Sequence, residues 1–437
     1  MVLAAEERVS GVQQMAEQAK QASRQLSALT EEQKNVALKA MADALEKNAG
    51  SVLDANEGDV AVASAMLASG EISASTLERL KLNDAKLEDM ARSIRSVASL
   101  ADPVGRILDR TQLDEGLILE KISCPLGVLA VIFEARPDAV TQIAALAVKS
   151  GNAVIMKPGK EVEGTASVLV ELLRCALRQC GIAEDTINLV LGREAVQQLL
   201  AMNGLVDLVI PRGSRQLVEY IQANTRIPVL GHAEGICHVY VDAAADQGMA
   251  LDIIDDAKTD YPSACNTAET VLVHATIARE FLPRMAERLR VKKVRLRGCE
   301  ETRAIVGEAV EPVENWHNEY SDLELAIRVV RDVDEAIDHI HRYGSSHTET
   351  IVTNDDKTAA RFLNEVDSAG VYHNASTRFA DGYRYGFGAE VGISTSKLHA
   401  RGPVGLDGLT TYKYVLHGKG HIASDYRNKR SFKHKRL

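Results

Sequence analysis

Aromatic residues make up only 4% of the 437 positions, and the six cysteines contain no CxxC pair and no repeated spacing. Without paired cysteines neither a structural zinc site nor a disulfide framework is expected, and free thiols point to a reducing compartment. No apolar run is long enough to span a bilayer. The N-terminus lacks the apolar core of a signal peptide, and Glu6, Glu7 and Glu17 are wrong for a mitochondrial presequence, so a cytoplasmic location is the expectation. Positive charge is also in deficit. A formal charge of −10 would repel nucleic-acid phosphates and argues against that class of partner. The exception is the C-terminus, where Arg427, Lys429, Arg430, Lys433, Lys435 and Arg436 cluster, and where a solvated, disordered tail is expected. G-x-G-x-x-G is missing after every strand-like run. Its nearest imitation, Gly418-Lys419-Gly420-His421-Ile422-Ala423, follows no βαβ unit.

What remains is ordinary globular composition, 46% hydrophobic and 26% charged. At this length two lobes are expected, each with its own core. The first hundred residues read as helical. Thr30 and Gln33 have capping-box spacing, the stripe Val36, Ala40, Met41, Ala44 and Leu45 follows, and Gly50 is placed to end the helix. Runs at 106–113 and 117–124, split by Asp114-Glu115-Gly116, read as a hairpin whose unpaired edges invite a partner subunit. From Gly127 short β-branched runs alternate with amphipathic helices: strands at 128–133, 153–156, 187–191 and 206–210, helices at 138–150, 163–180 and 214–224. That alternation predicts a parallel sheet covered on both faces, a Rossmann-like lobe. A second α/β lobe follows Ile236, with strands at 238–241, 270–273, 291–296 and 349–353. Its helices fall at 248–257, 278–289, 323–330, 334–343 and 356–365.

Ligands in such folds gather at the carboxyl ends of strands. Lys157-Pro158-Gly159-Lys160 stands at one such end. Pro211-Arg212-Gly213-Ser214 opens a helix at another, offering a glycine backbone and free helix-start amides to a phosphate. The second lobe contributes Asp260-Tyr261-Pro262-Ser263-Ala264-Cys265-Asn266-Thr267-Ala268-Glu269, a cysteine among small polar residues just ahead of a strand. A thiol on such a loop can reach a cleft, whereas the other cysteines, such as Cys175 and Cys180 in an amphipathic helix, mostly read as buried. His339, His341 and His347 suggest a metal, but the first two are two positions apart on a helix and do not share a face, so none is expected.

Two long stretches carry a resemblance. One spans 330–351, with Ala336-Ile337-Asp338-His339-Ile340 and Gly344-Ser345-Ser346-His347-Thr348-Glu349. The other runs from Gly386-Phe387-Gly388-Ala389-Glu390-Val391-Gly392-Ile393-Ser394-Thr395 to His399-Ala400-Arg401-Gly402-Pro403. With Phe133-Glu134-Ala135-Arg136-Pro137 and the cysteine loop, nearly the whole chain resembles the aldehyde dehydrogenase superfamily, and within it the branch that reduces L-glutamyl 5-phosphate.

The resemblance implies an aldehyde dehydrogenase-like α/β fold. Residues 1–104 and 124–236, with part of 376–395, would bind cofactor; 237–375 would be the catalytic domain. Residues 105–123 and 396–420 would form a protruding oligomerisation element, followed by the basic tail at 421–437. It implies an oxidoreductase of proline biosynthesis that takes L-glutamyl 5-phosphate and NADPH to L-glutamate 5-semialdehyde, phosphate and NADP+. The chain would form a homo-oligomer, with the upstream glutamate kinase as a further partner. Cys265 would attack the acyl phosphate as a thiolate, release phosphate and form a thioacyl enzyme that hydride then reduces. Cys265 and Asn266 are the catalytic candidates. Lys157, Pro158, Lys160, Gly213, Ser214 and Glu319 are the cofactor candidates, and Glu134, Arg136 and Arg401 those for the ends of the substrate.

Departures from the superfamily pattern are informative. Hydrolytic members carry a glutamate base where this chain has Gly231, in Leu230-Gly231-His232-Ala233-Glu234-Gly235; an enzyme that passes its thioester to hydride gains from not activating water. Glu234, three residues on, would be a base only if that alignment slipped. Ala135 replaces the superfamily's oxyanion asparagine, leaving the Cys265 amide and Asn266 as donors. In NAD-preferring relatives a glutamate stands three residues after the strand-end lysine. Here that position is Lys160, which would attract a 2'-phosphate unless Glu161 folds back and neutralises it. The alternatives are a non-phosphorylating aldehyde dehydrogenase of the same fold, against which Gly231 counts, and a catalytically silent nucleotide-binding protein.

Overall fold

Some helix starts are set by the side chain that caps them. Thr30 Oγ1 accepts the Gln33 N–H at 3.3 Å and Gln33 Oε1 accepts the Thr30 N–H at 2.9 Å, so the capping box opens the helix Glu31–Lys47 as its spacing predicts. Gly50 does not end that helix. Asn48 caps it, and Gly50 sits in the first turn of the next, Ala49–Ala68, where glycine is tolerated.

The computed structural model describes residues 2–231, 234–308 and 310–437 and divides into two units. The first is Met1–Gly231, Phe387–Gly392 and Val404–Leu437. Its central sheet is parallel, in the spatial order Ile187–Leu189, Ala153–Pro158, Val128–Phe133, Leu208–Arg212. All six residues of Val128–Phe133 and of Ala153–Pro158 are buried, because helices cover both faces. A second, antiparallel sheet holds the hairpin strands Ile107–Asp114 and Leu117–Pro125. Thr410–His417 flanks one side of it, and Lys435–Arg436 the other.

That last strand corrects the reading of the tail as disordered. Lys435 and Arg436 pair with Gln112 and Thr111, Tyr426 stacks on Phe432 with ring centroids 4.3 Å apart, and the Tyr426 hydroxyl donates to Asp114 at 2.9 Å. Arg430 and Lys433 lie beside the same carboxylate. The basic charge is matched by Asp109 and Asp114 on the hairpin.

The second unit, His232–Gly386 and Ile393–Pro403, is built on a seven-stranded parallel sheet. Its order is Val310–Pro312, Arg295–Gly298, Glu324–Val330, Ala268–His274, Cys237–Val241, Thr348–Val352, Gly370–His373. Glu324–Val330, expected as a helix, is an inner strand with six of seven residues buried. A short apolar run buried on both faces has no period to betray it, and here strand pairing on both sides decides. The helix Asp356–Glu365 has the bounds its sequence predicts.

Candidate active site

In the first unit the ligand-binding candidates come from three adjacent strand ends. Lys157 and Pro158 close the strand Ala153–Pro158, Glu134 follows Val128–Phe133, and Gly213 and Ser214 follow Leu208–Arg212. The Glu134 N–H donates to the Arg212 carbonyl at 3.0 Å, and the Ser214 N–H donates to Glu134 Oε2 at 2.9 Å. Ser214 opens the helix Arg215–Ala223 without a side-chain cap. The amide offered to an anion thus already holds one, the Glu134 carboxylate, which shows that negative charge fits there. A Cβ on Gly213 would stand 2.4 Å from that carboxylate, so only glycine allows the approach.

Lys157 is buried and its ammonium donates to the Pro158 carbonyl at 2.6 Å. Burial pulls its pKa down, opposed by the charges of Glu163, Glu161 and Glu134. Lys160 is exposed, and no carboxylate among the described residues pairs with it. Glu161 does not fold back onto Lys160. It is buried, and Oε1 accepts the Ala135 N–H at 2.6 Å. Ala135 has φ of +51°, so its amide is turned inward and is not a free oxyanion donor. Arg136 is half-buried just ahead of the helix Asp138–Lys149.

In the second unit Cys265 lies half-buried in the turn before the strand Ala268–His274. The turn is closed by its own backbone. The Ala264 N–H donates to the Tyr261 carbonyl and the Thr267 N–H to that of Ala264, both at 3.0 Å, while Thr267 Oγ1 donates to the Tyr261 carbonyl at 2.7 Å. Asn266 is buried; its amide nitrogen donates to the Ala380 carbonyl at 2.9 Å and its oxygen accepts from the Arg378 guanidinium. Arg378 Nε also reaches Asp260, where Arg384 joins it, each at 3.1 Å. The Arg384 and Arg378 guanidiniums hold the Asp260 carboxyl below its usual range. Both polar atoms of the Asn266 side chain therefore fasten the loop to 378–384.

Burial does not by itself single out Cys265. Five of the six thiols, Cys175 and Cys180 included, are partly exposed and only Cys237 is buried, contrary to the expectation from helix periodicity. Placement singles it out. Cys237 lies directly behind the loop, its thiol donating to the Cys265 carbonyl at 3.4 Å, and burial raises its pKa well above the usual thiol range. Beside it His238 Nδ1 and Glu349 Oε2 meet at 2.9 Å in a fully buried pair. Gly235 packs so close that a Cβ would stand 2.1 Å from the Cys265 carbonyl oxygen.

Glu319 is half-buried on the loop between Val310–Pro312 and Glu324–Val330, and its charge adds a little to the upward shift that burial imposes on the Glu269 carboxyl. Arg401 is engaged with Asp367, at 2.8 Å to Oδ1 and 3.1 Å to the carbonyl. His232 and Ala233, in the stretch at the superfamily's base position, lie outside the described residues. His341 accepts the Asp367 N–H at 3.2 Å, while His339 packs edge-on against Trp316 with centroids 5.0 Å apart. Among the described residues no three His, Cys, Asp or Glu side chains are grouped to hold a metal. Sequence reasoning missed Arg378, Gly235 and Lys258. Arg378 is 112 positions from Asn266, and no local pattern reports so distant a bond.

The aldehyde dehydrogenase family model matches residues 3–312, and the chain belongs to that family as an oxidoreductase. Within it the similarity is to gamma-glutamyl phosphate reductases. One from Synechococcus sp. (strain JA-2-3B'a(2-13)) is 55% identical over 395 residues, covering 90% of this chain and 87% of its own. One from Natronomonas pharaonis is 51% identical over 410 residues, 93% of each chain. The crystal structure of gamma-glutamyl phosphate reductase from Thermotoga maritima superposes with a TM-score of 0.90 at 40% identity, covering 94% of this chain and 99% of that one. The expected fold and family are thereby borne out. The family works with a nicotinamide cofactor. Among the described residues no helix is long and apolar enough to cross a membrane.

Proposed function

We propose that this chain catalyses the NADPH-dependent reduction of L-glutamyl 5-phosphate to L-glutamate 5-semialdehyde with release of phosphate, in proline biosynthesis. The observation that carries the reading is the Cys265 loop: a partly exposed thiol on a turn closed by its own hydrogen bonds and fastened through Asn266 to Ala380, in a chain about half identical to gamma-glutamyl phosphate reductases. Cys265 attacks the acyl carbonyl as a thiolate; the C–O bond to phosphate breaks, phosphate leaves with the bonding pair, and a thioester remains on Cys265. NADPH, when bound, supplies the hydride that reduces this thioester. Collapse to the aldehyde then returns the electron pair to sulfur. Asn266 and the backbone of Gly235 hold the loop still while this happens, and the Cys265 amide is the remaining oxyanion donor.

The first unit is assigned to the cofactor. The Gly213–Ser214 amides would receive its phosphates once Glu134 yields them, Lys157 and Pro158 would flank the adenosine ribose, and Lys160 would meet a 2'-phosphate. The inward turn of Glu161 supports NADPH, since it leaves the Lys160 charge unneutralised. Glu319 would hold the nicotinamide ribose. Of the substrate candidates, Glu134 and Arg401 are already engaged, whereas Arg136 has no carboxylate partner among the described residues and is assigned the substrate carboxylate. The hairpin sheet is assigned to homo-oligomer assembly and the protein to the cytoplasm, where a glutamate kinase would supply the acyl phosphate.

The test runs the reaction backwards. With glutamate 5-semialdehyde and NADP+, formation of NADPH should require added inorganic phosphate, because phosphate must cleave the thioester. Phosphate-independent turnover would indicate a hydrolytic aldehyde dehydrogenase instead.

A further inference from the structure

Lys258 and Glu269 form a buried ion pair that the chemistry above does not use. Their side chains are 0% and 1% exposed, and Lys258 Nζ donates to Glu269 Oε2 at 3.1 Å. Lys258 is in the last turn of the helix Gln247–Thr259, which runs into the nucleophile loop. Glu269 is the second residue of Ala268–His274, the strand that leaves it. The pair therefore ties the two ends of the loop that carries Cys265.

The same carboxylate has further partners. The Tyr320 N–H donates to Glu269 Oε2 and the Ser321 N–H to Oε1, each at 3.3 Å. These two amides immediately follow Glu319, and Ser321 has φ of +51°, a left-handed conformation that a non-glycine residue keeps only when its surroundings hold it. A buried carboxylate needs partners on both oxygens, and these three donors supply them. Burial pushes the Glu269 pKa up to about 7 and pulls that of Lys258 down, the mark of a pair held away from water.

We infer that Glu269, backed by Lys258, is a positioning residue that fixes the Glu319 loop relative to the Cys265 loop, so that the group holding the nicotinamide ribose and the nucleophile share one anchor. The inference rests on the reading of Glu319 as a ribose ligand. Glu269 touches neither substrate nor cofactor. Its effect is to be seen in cofactor binding, with the thiol left in place.

Three readouts separate the possibilities in the full-length protein. These are the Kd for NADPH by fluorescence titration, the alkylation rate of Cys265 by iodoacetamide, and the Tm. Glu319→Gln should weaken NADPH binding by about tenfold, and Glu269→Gln by a similar factor while alkylating within about twofold of the parent. The double variant should bind no more weakly than either single one, because the two act through one contact. If Glu269→Gln leaves Lys258 unpaired and the chain does not fold, Lys258→Met with Glu269→Gln removes the buried charge and the same non-additivity is expected of it. Should Glu319→Gln weaken binding while the Glu269 variants bind as the parent does, or should their effects multiply, the inference is overturned and the ribose reading stands. Unchanged binding in Glu319→Gln would instead remove the ribose reading and this inference with it.

Discussion

The backbone of Gly235 lies against that of Cys265 so closely that a Cβ would come within 2.7 Å of the Cys265 Cα. No rotamer change can relieve a clash with backbone, so Gly235→Ala must move the nucleophile loop or its own strand-entry segment. The expected outcome is a stability loss of about 1–3 kcal/mol from overpacking and a fall in kcat of roughly a hundredfold from a displaced thiol. Thermal unfolding and steady-state kinetics of the purified variant check both. A variant with parental kcat would show that the loop has slack.

Cofactor choice turns on Lys160, exposed and unpaired among the described residues, with Glu161 bound to the Ala135 amide. A preference for NADPH over NADH of about tenfold, ~1.4 kcal/mol, is expected. Lys160→Glu should narrow or invert it while sparing turnover at saturating NADH. Initial rates with each cofactor give the ratio, and an unchanged ratio in the variant would exclude Lys160 as the selector.

Acid sensitivity has one identifiable source in His339. It is buried among aromatic rings and accepts from Arg328 at 2.7 Å, which requires an unprotonated Nδ1, and burial pushes its pKa down to about 2. An unfolded histidine binds its proton near pH 6.5, so below that pH protons favour the unfolded chain. Stability that is complete above pH 6.5 is lost as pH falls toward 2, by up to about 1.4 kcal/mol per pH unit. Urea unfolding between pH 7.5 and 5 should show this slope in the parent and a shallower one in His339→Gln. Equal slopes would place the acid sensitivity elsewhere.

Much of this organisation was legible because local chemistry dictates it. Thr30 and Gln33 announce a helix start, Glu115-Gly116 a tight turn with Gly116 at φ +73°, and the pattern over 356–365 a helix that forms with those same two ends. The strand Glu324–Val330 was not legible, since its burial on both faces erases the alternation that marks a strand. The cysteine loop could be found from its composition and from resemblance. Its fastenings could not, because Arg378 and Gly235 reach it through contacts that only the folded chain makes. The order of the tail was hidden for a related reason: a run of positive charge reads as a disordered segment until the hairpin carboxylates that it pairs with are in place.

Assembly should depend on the antiparallel sheet. Ile107, Leu108, Tyr412, Tyr414 and Leu416 are exposed on its strands, and Thr410–His417 is an outermost strand of the sheet among the described residues. Deleting 106–123 should give monomers or aggregates by sedimentation velocity. A deletion variant that sediments as the parent does would make the hairpin an ordinary surface flap.

The most direct test of the account is turnover by Cys265→Ser. A serine hydroxyl has no comparable anion at neutral pH, so NADPH oxidation with acyl phosphate should fall at least about a thousandfold, while the Kd for NADPH and the Tm stay near those of the parent. Substantial turnover in the serine variant would contradict the assignment of Cys265 as the nucleophile.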